Sequence, residues 1–300
     1  MLDITVIILT YNEEIHIRRC LENISSFAKK IFVIDSFSID RTVEIAREYG
    51  NVTVLQNNWV NYATQFNWAL QQANIQTKWV LRLDADEYLT EELKRELTKH
   101  LPNLNAQYTG VIFPLRRVFL GRTIRKGMPK VKLLRLFQYG KAQSEVRLMD
   151  EHIQLLEGET IEFENEFADD NLNNLSWWSQ KHIGYAIREA VDLLDIEYNL
   201  TGTAKEDEAR IISEQAKAKR LMKHKYASQP LFWRSFAYFC YRYFFRLGFM
   251  EGKEGFLWHF LQGWWYRTLV DAKVFEIKKT CGNDKSKIRQ YILDKYNITL

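Results

Sequence analysis

Ile4–Leu9 is an apolar run broken only at Thr5, the pattern of a strand buried on both faces. The polar stretch Thr10-Tyr11-Asn12-Glu13-Glu14 follows, and then Ile15, Cys20, Leu21 and Ile24 mark a helix. Ile31–Ile34 predicts a second strand ending at Asp35, and Ser36–Asp40 a polar loop, with Asp40 as N-cap of a helix over Arg41–Tyr49. Val52–Leu55 predicts a third strand and Asn61–Ala73 a helix. Trp79–Leu83 predicts a fourth strand, running into Asp84-Ala85-Asp86-Glu87, after which Thr90 caps a helix over Glu91–His100. Strands that alternate with helices in this way specify an α/β fold with a mainly parallel sheet. From 105 to 165 the pattern turns short and strand-like, at Gly110–Phe113, Lys132–Phe137 and Thr160–Phe163. From about 172 it is helical to the end, so the expected division is a domain over 1–165 and a helical region over 166–300.

Composition narrows the picture. At 300 residues, 46% hydrophobic and 27% charged, the chain is globular, with a length that suits one large domain or two smaller ones. The net charge of +4 hides a split. Residues 201–300 hold 19 Lys and Arg against 10 Asp and Glu, whereas the first 200 hold 23 against 28. Cys20, Cys240 and Cys281 are too scattered for a disulfide framework or a zinc site, which suits a reduced compartment. The opening MLDITVIILTYNEE lacks the basic start of a signal peptide. The most apolar stretch, 231–250, is interrupted by Arg234, Arg242 and Arg246, so no membrane span is expected. The first glycine is Gly50, so neither a dinucleotide fingerprint nor a Walker A loop can occupy the first βα turn. A nucleotide here would be held by side chains and a metal.

Ligands of open parallel sheets sit beyond the carboxyl ends of the strands. Asn12 and Glu13 follow the first strand, Asp35 the second, and Asp84 and Asp86 the fourth. Four carboxylates from three distant segments thus share one rim, a costly arrangement unless a cation or hydrogen-bond donors compensate. A divalent metal that enters with a diphosphate does so, because Mg²⁺ and Mn²⁺ are often held by one or two carboxylates plus phosphate oxygens. Each acid alone is an ordinary turn or cap residue. A receiver-like acidic pocket is the rival for the combination, but it needs neither the second acidic cluster nor the long aromatic tail.

The segment Val6-Ile7-Ile8-Leu9-Thr10-Tyr11-Asn12-Glu13-Glu14 resembles the opening of the family 2 glycosyltransferases, which have the GT-A fold. Asp35-Ser36-Phe37-Ser38-Ile39-Asp40-Arg41-Thr42 resembles their second motif, and Leu83-Asp84-Ala85-Asp86-Glu87 their D-x-D. Four further segments, Gln65–Leu70, Met149–His152, Lys181–Ala186 and Leu247–Phe256, resemble bacterial enzymes that add a hexose to lipopolysaccharide core, O-antigen or capsule saccharides, of the heptose β-1,4-glucosyltransferase type. The resemblance implies a Rossmann-like GT-A domain, a UDP-sugar donor and Mn²⁺ or Mg²⁺. It implies that Thr10, Tyr11 and Glu13 line the base and ribose, and that Asp35 accepts the uracil N3–H. Asp84 then faces the donor ribose or sugar, Asp86 ligates the metal, and Asn67 approaches the diphosphate or donor sugar.

Direct displacement inverts the anomeric centre and needs one carboxylate as general base. The family places it in a Glu-Asp motif after the D-x-D region. The counterpart here is the reversed pair Asp150-Glu151, in which position favours Glu151 and residue type favours Asp150. His152 is a candidate to orient either carboxylate or meet the acceptor. The basic residues Arg116, Arg117, Arg122, Arg125 and Lys126 are candidates to meet donor phosphates or an anionic acceptor, and Lys181-His182 to face the acceptor; solvated surface and helix packing are the plain alternatives.

Residues 226–270 hold 17 of the 42 aromatics. Arg234, Tyr238, Arg242 and Arg246 recur every four residues, a stripe on a helix whose other face carries Phe232, Trp233, Phe236, Phe239, Phe244 and Phe245. Phe256–Val270 repeats the composition. Such helices suit a membrane interface, where each nearby Lys or Arg gains roughly 1 kcal/mol from anionic lipid. A buried subdomain or a homo-oligomer interface with snorkelling arginines is the alternative. The interleaved basic residues show no nucleic-acid recognition motif. The expected protein is therefore an inverting hexosyltransferase, cytoplasmic and peripheral on the inner face of the bacterial inner membrane. Its acceptor would be a saccharide or lipid-linked saccharide. Transfer to a polyprenyl phosphate, which needs no base, and a non-catalytic membrane-bound scaffold of the same fold are the rivals.

Overall fold

The computed structural model describes residues 1–145, 152–201 and 225–300. The chain forms two compact units, one of Met1–Ile124 with Lys130–Leu172 and one of Arg125–Pro129 with Asn173–Leu300.

The first unit is built on a ten-stranded sheet. β1 (Leu2–Thr10) lies between β2 (Ala28–Asp35) and β4 (Trp79–Asp84), with β3 (Val52–Gln56) outside β2, all parallel. Alternate residues of β1 serve opposite cores. Ile4, Val6 and Ile8 pack with Ile17 and Leu21 of α1 (Glu14–Ile24), while Ile7 and Leu9 pack with Phe66 and Ala69 of α3 (Tyr62–Gln72). Each such fully buried aliphatic or aromatic side chain contributes about 1.5–3 kcal/mol. α2 (Thr42–Ala46) is shorter than the expected Arg41–Tyr49, and three of its five residues are β-branched. α4 (Glu91–His100) starts where Thr90 Oγ1 accepts the Leu93 N–H, as expected.

Beyond β4 the sheet is mixed. β8 (Lys132–Gln138) runs antiparallel to both β4 and the long β6 (Tyr108–Phe119). β6 also pairs with β7 (Arg122–Ile124), β11 (Glu159–Glu162) and β12 (Phe167–Asp170), and β12 pairs with β5 (Glu87–Leu89). β9 (Ala142–Ser144) and β10 (Ile153–Leu155) form a separate antiparallel pair.

The second unit is helical and aromatic-rich, as expected for the C-terminal region. α5 (Leu175–Tyr198), α8 (Tyr266–Cys281) and α9 (Lys285–Tyr296) bury Ala190, Leu194, Val274, Ile277, Ile288 and Ile292 in one core. α6 (Trp233–Cys240) continues into a π-helical turn, Tyr241–Phe245, and α7 (Gly252–Trp258) into another, His259–Trp265. Among the described residues no helix is long and apolar enough to cross a membrane.

The expected basic stripe is turned inside out. Arg234 is buried and its guanidinium meets Asp271 Oδ1 at 2.5 and 2.8 Å. Arg242 is 1% exposed and donates to Gln262 Oε1, and only Arg246 reaches water. The reason is twofold: polar partners on the facing helical segment hold two of the arginines, and the wide turn at Tyr241–Phe245 breaks the four-residue period. Aromatic side chains fill the outer face instead.

Candidate active site

The register of the parallel strands aligns the candidate residues. Thr10 is opposite Asp35, Asp35 opposite Gln56, and Leu9 opposite Asp84, so four adjacent strands end at one edge. Asp35 is fully buried, which would cost several kcal/mol for an unpaired carboxylate. Its oxygens accept from Thr10 Oγ1 (3.0 Å), Ser38 N (2.9 Å), Ser38 Oγ (2.5 Å) and Gln56 Nε2 (3.2 Å). The loop after β2 is laced to the loop after β1. Asn12, at φ 55°, donates its N–H to Ser38 Oγ and accepts the Ile39 N–H, and Glu13 N–H donates to Thr42 Oγ1. Asp40 accepts from Thr42 N and, with its other oxygen, from Glu14 N, so one carboxylate holds the first N–H of both α2 and α1, although the N-cap positions themselves are Arg41 and Glu13 rather than the expected Asp40. Tyr11 is exposed at this rim.

The second half of the rim is a dense charge cluster. Asp84 is half-buried, 3.6 Å from Arg135 and 3.9 Å from Arg82. Glu87 is buried, bonded to Arg135 at 2.5 Å and accepting the Asp84 N–H. Burial pushes the Glu87 carboxyl well above the usual carboxylate range against the pull of Arg135. Asp169 on β12 stands opposite Glu87 on β5. Burial raises its pKa to about 6; Arg117 opposes the shift, and the charges of Asp86 and Asp84 add to it. Asp86 Oδ2 accepts from Asn171 Nδ2 at 2.8 Å, and its carbonyl accepts from Arg19, which also holds Asp170 at 2.7 Å.

His16 bridges the two halves. It is fully buried; its Nδ1 lies 2.6 Å from Glu13 Oε2 and its Nε2 accepts the Leu172 N–H at 2.9 Å. Leu172 follows Asn171, the partner of Asp86, so a continuous path of contacts runs from Glu13 through His16 to the D-x-D segment.

The remaining candidates stand elsewhere. Asn67 gives its whole amide to the backbone of Ser144, donating to the carbonyl and accepting from the N–H, both at 2.8 Å. It anchors β9 to α3. Asp150 and Glu151 lie outside the described residues. On either side of them, Glu145 N–H donates to the His152 carbonyl at 2.9 Å.

Sequence reasoning missed His16, Arg19, Arg135, Asp169 and Asn171. Two signals were present. Arg135 sits among leucines in a buried strand, and a charge there needs a partner. Asp169-Asp170-Asn171 closes a short strand as Asp84-Ala85-Asp86 closes β4.

Among the described residues no group of three or more His, Cys, Asp and Glu side chains is arranged to hold a metal ion. The donor set nevertheless suits a hard cation. Asp84 is partly open to water and Asp86 has one oxygen bonded to Asn171, and Mg²⁺-type ions take one or two carboxylates and complete their shell with water and phosphate.

An open α/β sheet with side-chain acids at the carboxyl ends of its parallel strands defines a ligand-binding domain that works without a glycine loop. Residues 5–153 match the model of glycosyl transferase family 2, and this part of the chain belongs to that family. An uncharacterised glycosyltransferase of Rickettsia typhi is 35% identical over 97 residues, 32% of each chain. The lipopolysaccharide core biosynthesis glycosyltransferase LpsC of Rhizobium meliloti is 28% identical over 147 residues, 47% of this chain and 53% of LpsC. The chain thus spans about a third to a half of the length of these relatives. Among solved structures, the mannosyltransferase PcManGT of Pyrobaculum calidifontis, in complex with GDP-Man and Mn²⁺, gives a TM-score of 0.49 at 15% identity, covering 91% of this chain and 87% of that one. TarS 1-349 of S. aureus in complex with UDP-GlcNAc gives 0.41 at 14% identity, covering 94% and 92%.

Proposed function

We propose that the chain is an inverting glycosyltransferase that moves a hexose from a UDP-sugar to a hydroxyl of a cell-surface saccharide such as lipopolysaccharide, O-antigen or capsule. The observation that carries this reading is the convergence of Thr10, Asp35 and Asp84 at one sheet edge, with His16 joining Glu13 to the Asp86 segment, inside a family 2 domain.

The uracil N3–H would approach Asp35 from the side of Gln56, the exposed residue that makes the longest of the four bonds to that carboxylate. Thr10 and Ser38 hold the acid in place meanwhile, so its acceptor position needs no reorganisation. Asp86, with Asp84 beside it, would hold Mn²⁺ or Mg²⁺, which when bound offsets the charge that develops on the leaving diphosphate. Arg135 and Arg82, 3.6 and 3.9 Å from Asp84, would hold it electrostatically beside the donor. Asp150 or Glu151 takes the acceptor proton in this reading, and Asn67 supports the chain that leads to them through Ser144.

Calorimetry with UDP tests the donor side. Binding is expected with Mn²⁺ present and is expected to fall at least tenfold with EDTA or in Asp86→Ala. Equal heats with and without metal, in both proteins, would overturn the reading. Asp150→Asn and Glu151→Gln test the acceptor side: full transfer activity in both single variants and in the double one removes the base role.

A further inference from the structure

The outer face of the second unit is aromatic over an unusual extent. Trp233 touches Phe236, Phe236 touches Trp264, Trp264 touches Phe260, Phe260 touches Phe256, and Phe256 touches Tyr243, which reaches Phe244 and Phe249. Successive ring centroids are 5.1 to 6.3 Å apart, so the rings form one sheet rather than scattered singles. Its outer members Trp233 and Phe244 are open to water, 72% and 55% exposed, and Phe245, next to Phe244 in sequence, is 79% exposed. A soluble surface seldom carries a contiguous apolar patch of this kind without a partner.

Cations border one end of the sheet. Glu251 is buried and its Oε1 accepts the N–H groups of Arg125 and Lys126, while Gly127 N–H donates to the Arg246 carbonyl. These bonds pin the Arg125–Pro129 strap beside Phe249 and Met250, and Lys126 Nζ lies 3.1 Å from Met250 Sδ. Arg125, Arg246 and Lys253 are exposed there.

We propose that this face docks on an anionic lipid bilayer, with Trp233, Phe244, Phe245 and Phe249 entering the headgroup–acyl boundary and Arg125, Arg246 and Lys253 meeting lipid phosphates. Aromatic rings favour that depth, and no described helix can span. Pairing with a second copy of this chain would set one cation-rimmed face against another, whereas anionic headgroups neutralise it. The docking differs from attraction by a basic helix face, because Arg234 and Arg242 are buried and take no part.

The proposal stands apart from the sugar-transfer reading, and UDP binding measured on the same samples reports that one separately. The full chain is mixed with vesicles of phosphatidylcholine alone or with 30% phosphatidylglycerol (about one charge in three lipids) and sedimented. Wild type is expected to pellet with the anionic vesicles and to stay largely soluble with the neutral ones. The double variant F244S/F245S should partition at least tenfold less, and R246E/K253E should lose the preference for anionic lipid, both with UDP binding unchanged. Because a surface variant can also misfold, quenching of wild-type tryptophan fluorescence by brominated lipid is the second readout, and Trp233→Phe should reduce it. Equal binding to both vesicle compositions, binding to neither, or no quenching overturns the proposal. So does a dimer in sedimentation equilibrium that F244S/F245S converts to monomer while no lipid is bound.

Discussion

The Leu172 N–H points at His16 Nε2, and that contact decides where the imidazole proton sits. A nitrogen that accepts carries no hydrogen, so the proton of the neutral ring is on Nδ1, facing Glu13 Oε2. His16→Leu removes both bonds and leaves the Leu172 N–H and the Glu13 carboxylate without this partner, a loss of about 1 kcal/mol per bond. The expected result is a lower urea midpoint together with an about tenfold weaker Mn²⁺-dependent UDP affinity, equivalent to about 1.4 kcal/mol. An unchanged affinity in a destabilised variant would reduce His16 to a packing residue. Asp169 makes a second residue-scale prediction. Its folded carboxyl keeps a proton up to about pH 6, against 3.8 for its ordinary value. The folded chain therefore binds more protons in that window, and stability falls as pH rises through it. Since 30% of the side chain still reaches water, we expect Asp169→Asn to gain only about 1 kcal/mol at pH 7.5 in EDTA, with the gap closing toward pH 4. A constant gap in denaturation midpoints across that range would contradict this. His16 was not legible beforehand, because a lone histidine in the first turn of a helix carries no mark of its orientation. The periodic reading took Ile15 for the inward face, but Ile15 is 48% exposed and His16 is buried.

At the scale of elements, the buried Arg234–Asp271 pair ties the start of α6 to α8, and Asp271 Oδ2 also accepts the Phe232 N–H. Arg234→Met leaves the buried Asp271 without its cation, with only the Phe232 N–H still donating to it, a loss of about 3–5 kcal/mol. Replacing both, as Arg234→Met with Asp271→Leu, should recover most of that loss in guanidinium unfolding, and failure to recover would mean that the Phe232 bond carries the contact instead. Elements of the first hundred residues were legible because strands buried on both faces are continuous apolar runs and caps such as Thr90 mark helix starts. The mixed half of the sheet was legible only in part: Lys132–Phe137 and Thr160–Phe163 matched β8 and β11 to within a residue, but β6 was read short. Gly110–Phe113 is the apolar first half of the twelve-residue β6, whose second half carries Arg116 and Arg117, paired with Glu166 and Asp169, and those charges hide the rest of the strand from a hydrophobic pattern. The basic stripe was misread for the same reason in reverse: periodicity shows which residues share a face, and buried partners decide which face turns inward.

For the molecule as a whole, the charge division follows the two chemistries. The first 200 residues are net acidic and carry the rim proposed to hold a cation with a diphosphate; the last hundred are net basic and carry the face proposed to meet anionic lipid. Each unit has its own hydrophobic core, so the two ligands should leave separate footprints. Hydrogen exchange of the full chain can read both at once. UDP with Mn²⁺ should slow exchange at Thr10–Glu14, Asp35–Ser38 and Asp84–Glu87, where local opening must break the bonds that hold Asp35 and Asp86. Anionic vesicles should slow exchange across 233–256 and leave the first set unchanged. At a ligand concentration of 100 Kd the bound state gains about 2.7 kcal/mol over any opening that releases the ligand, close to a hundredfold in exchange rate, so the two footprints are well within reach of the measurement. Protection of 233–256 by UDP alone, or of the strand ends by vesicles alone, would show that the two chemistries have been assigned to the wrong parts of the chain.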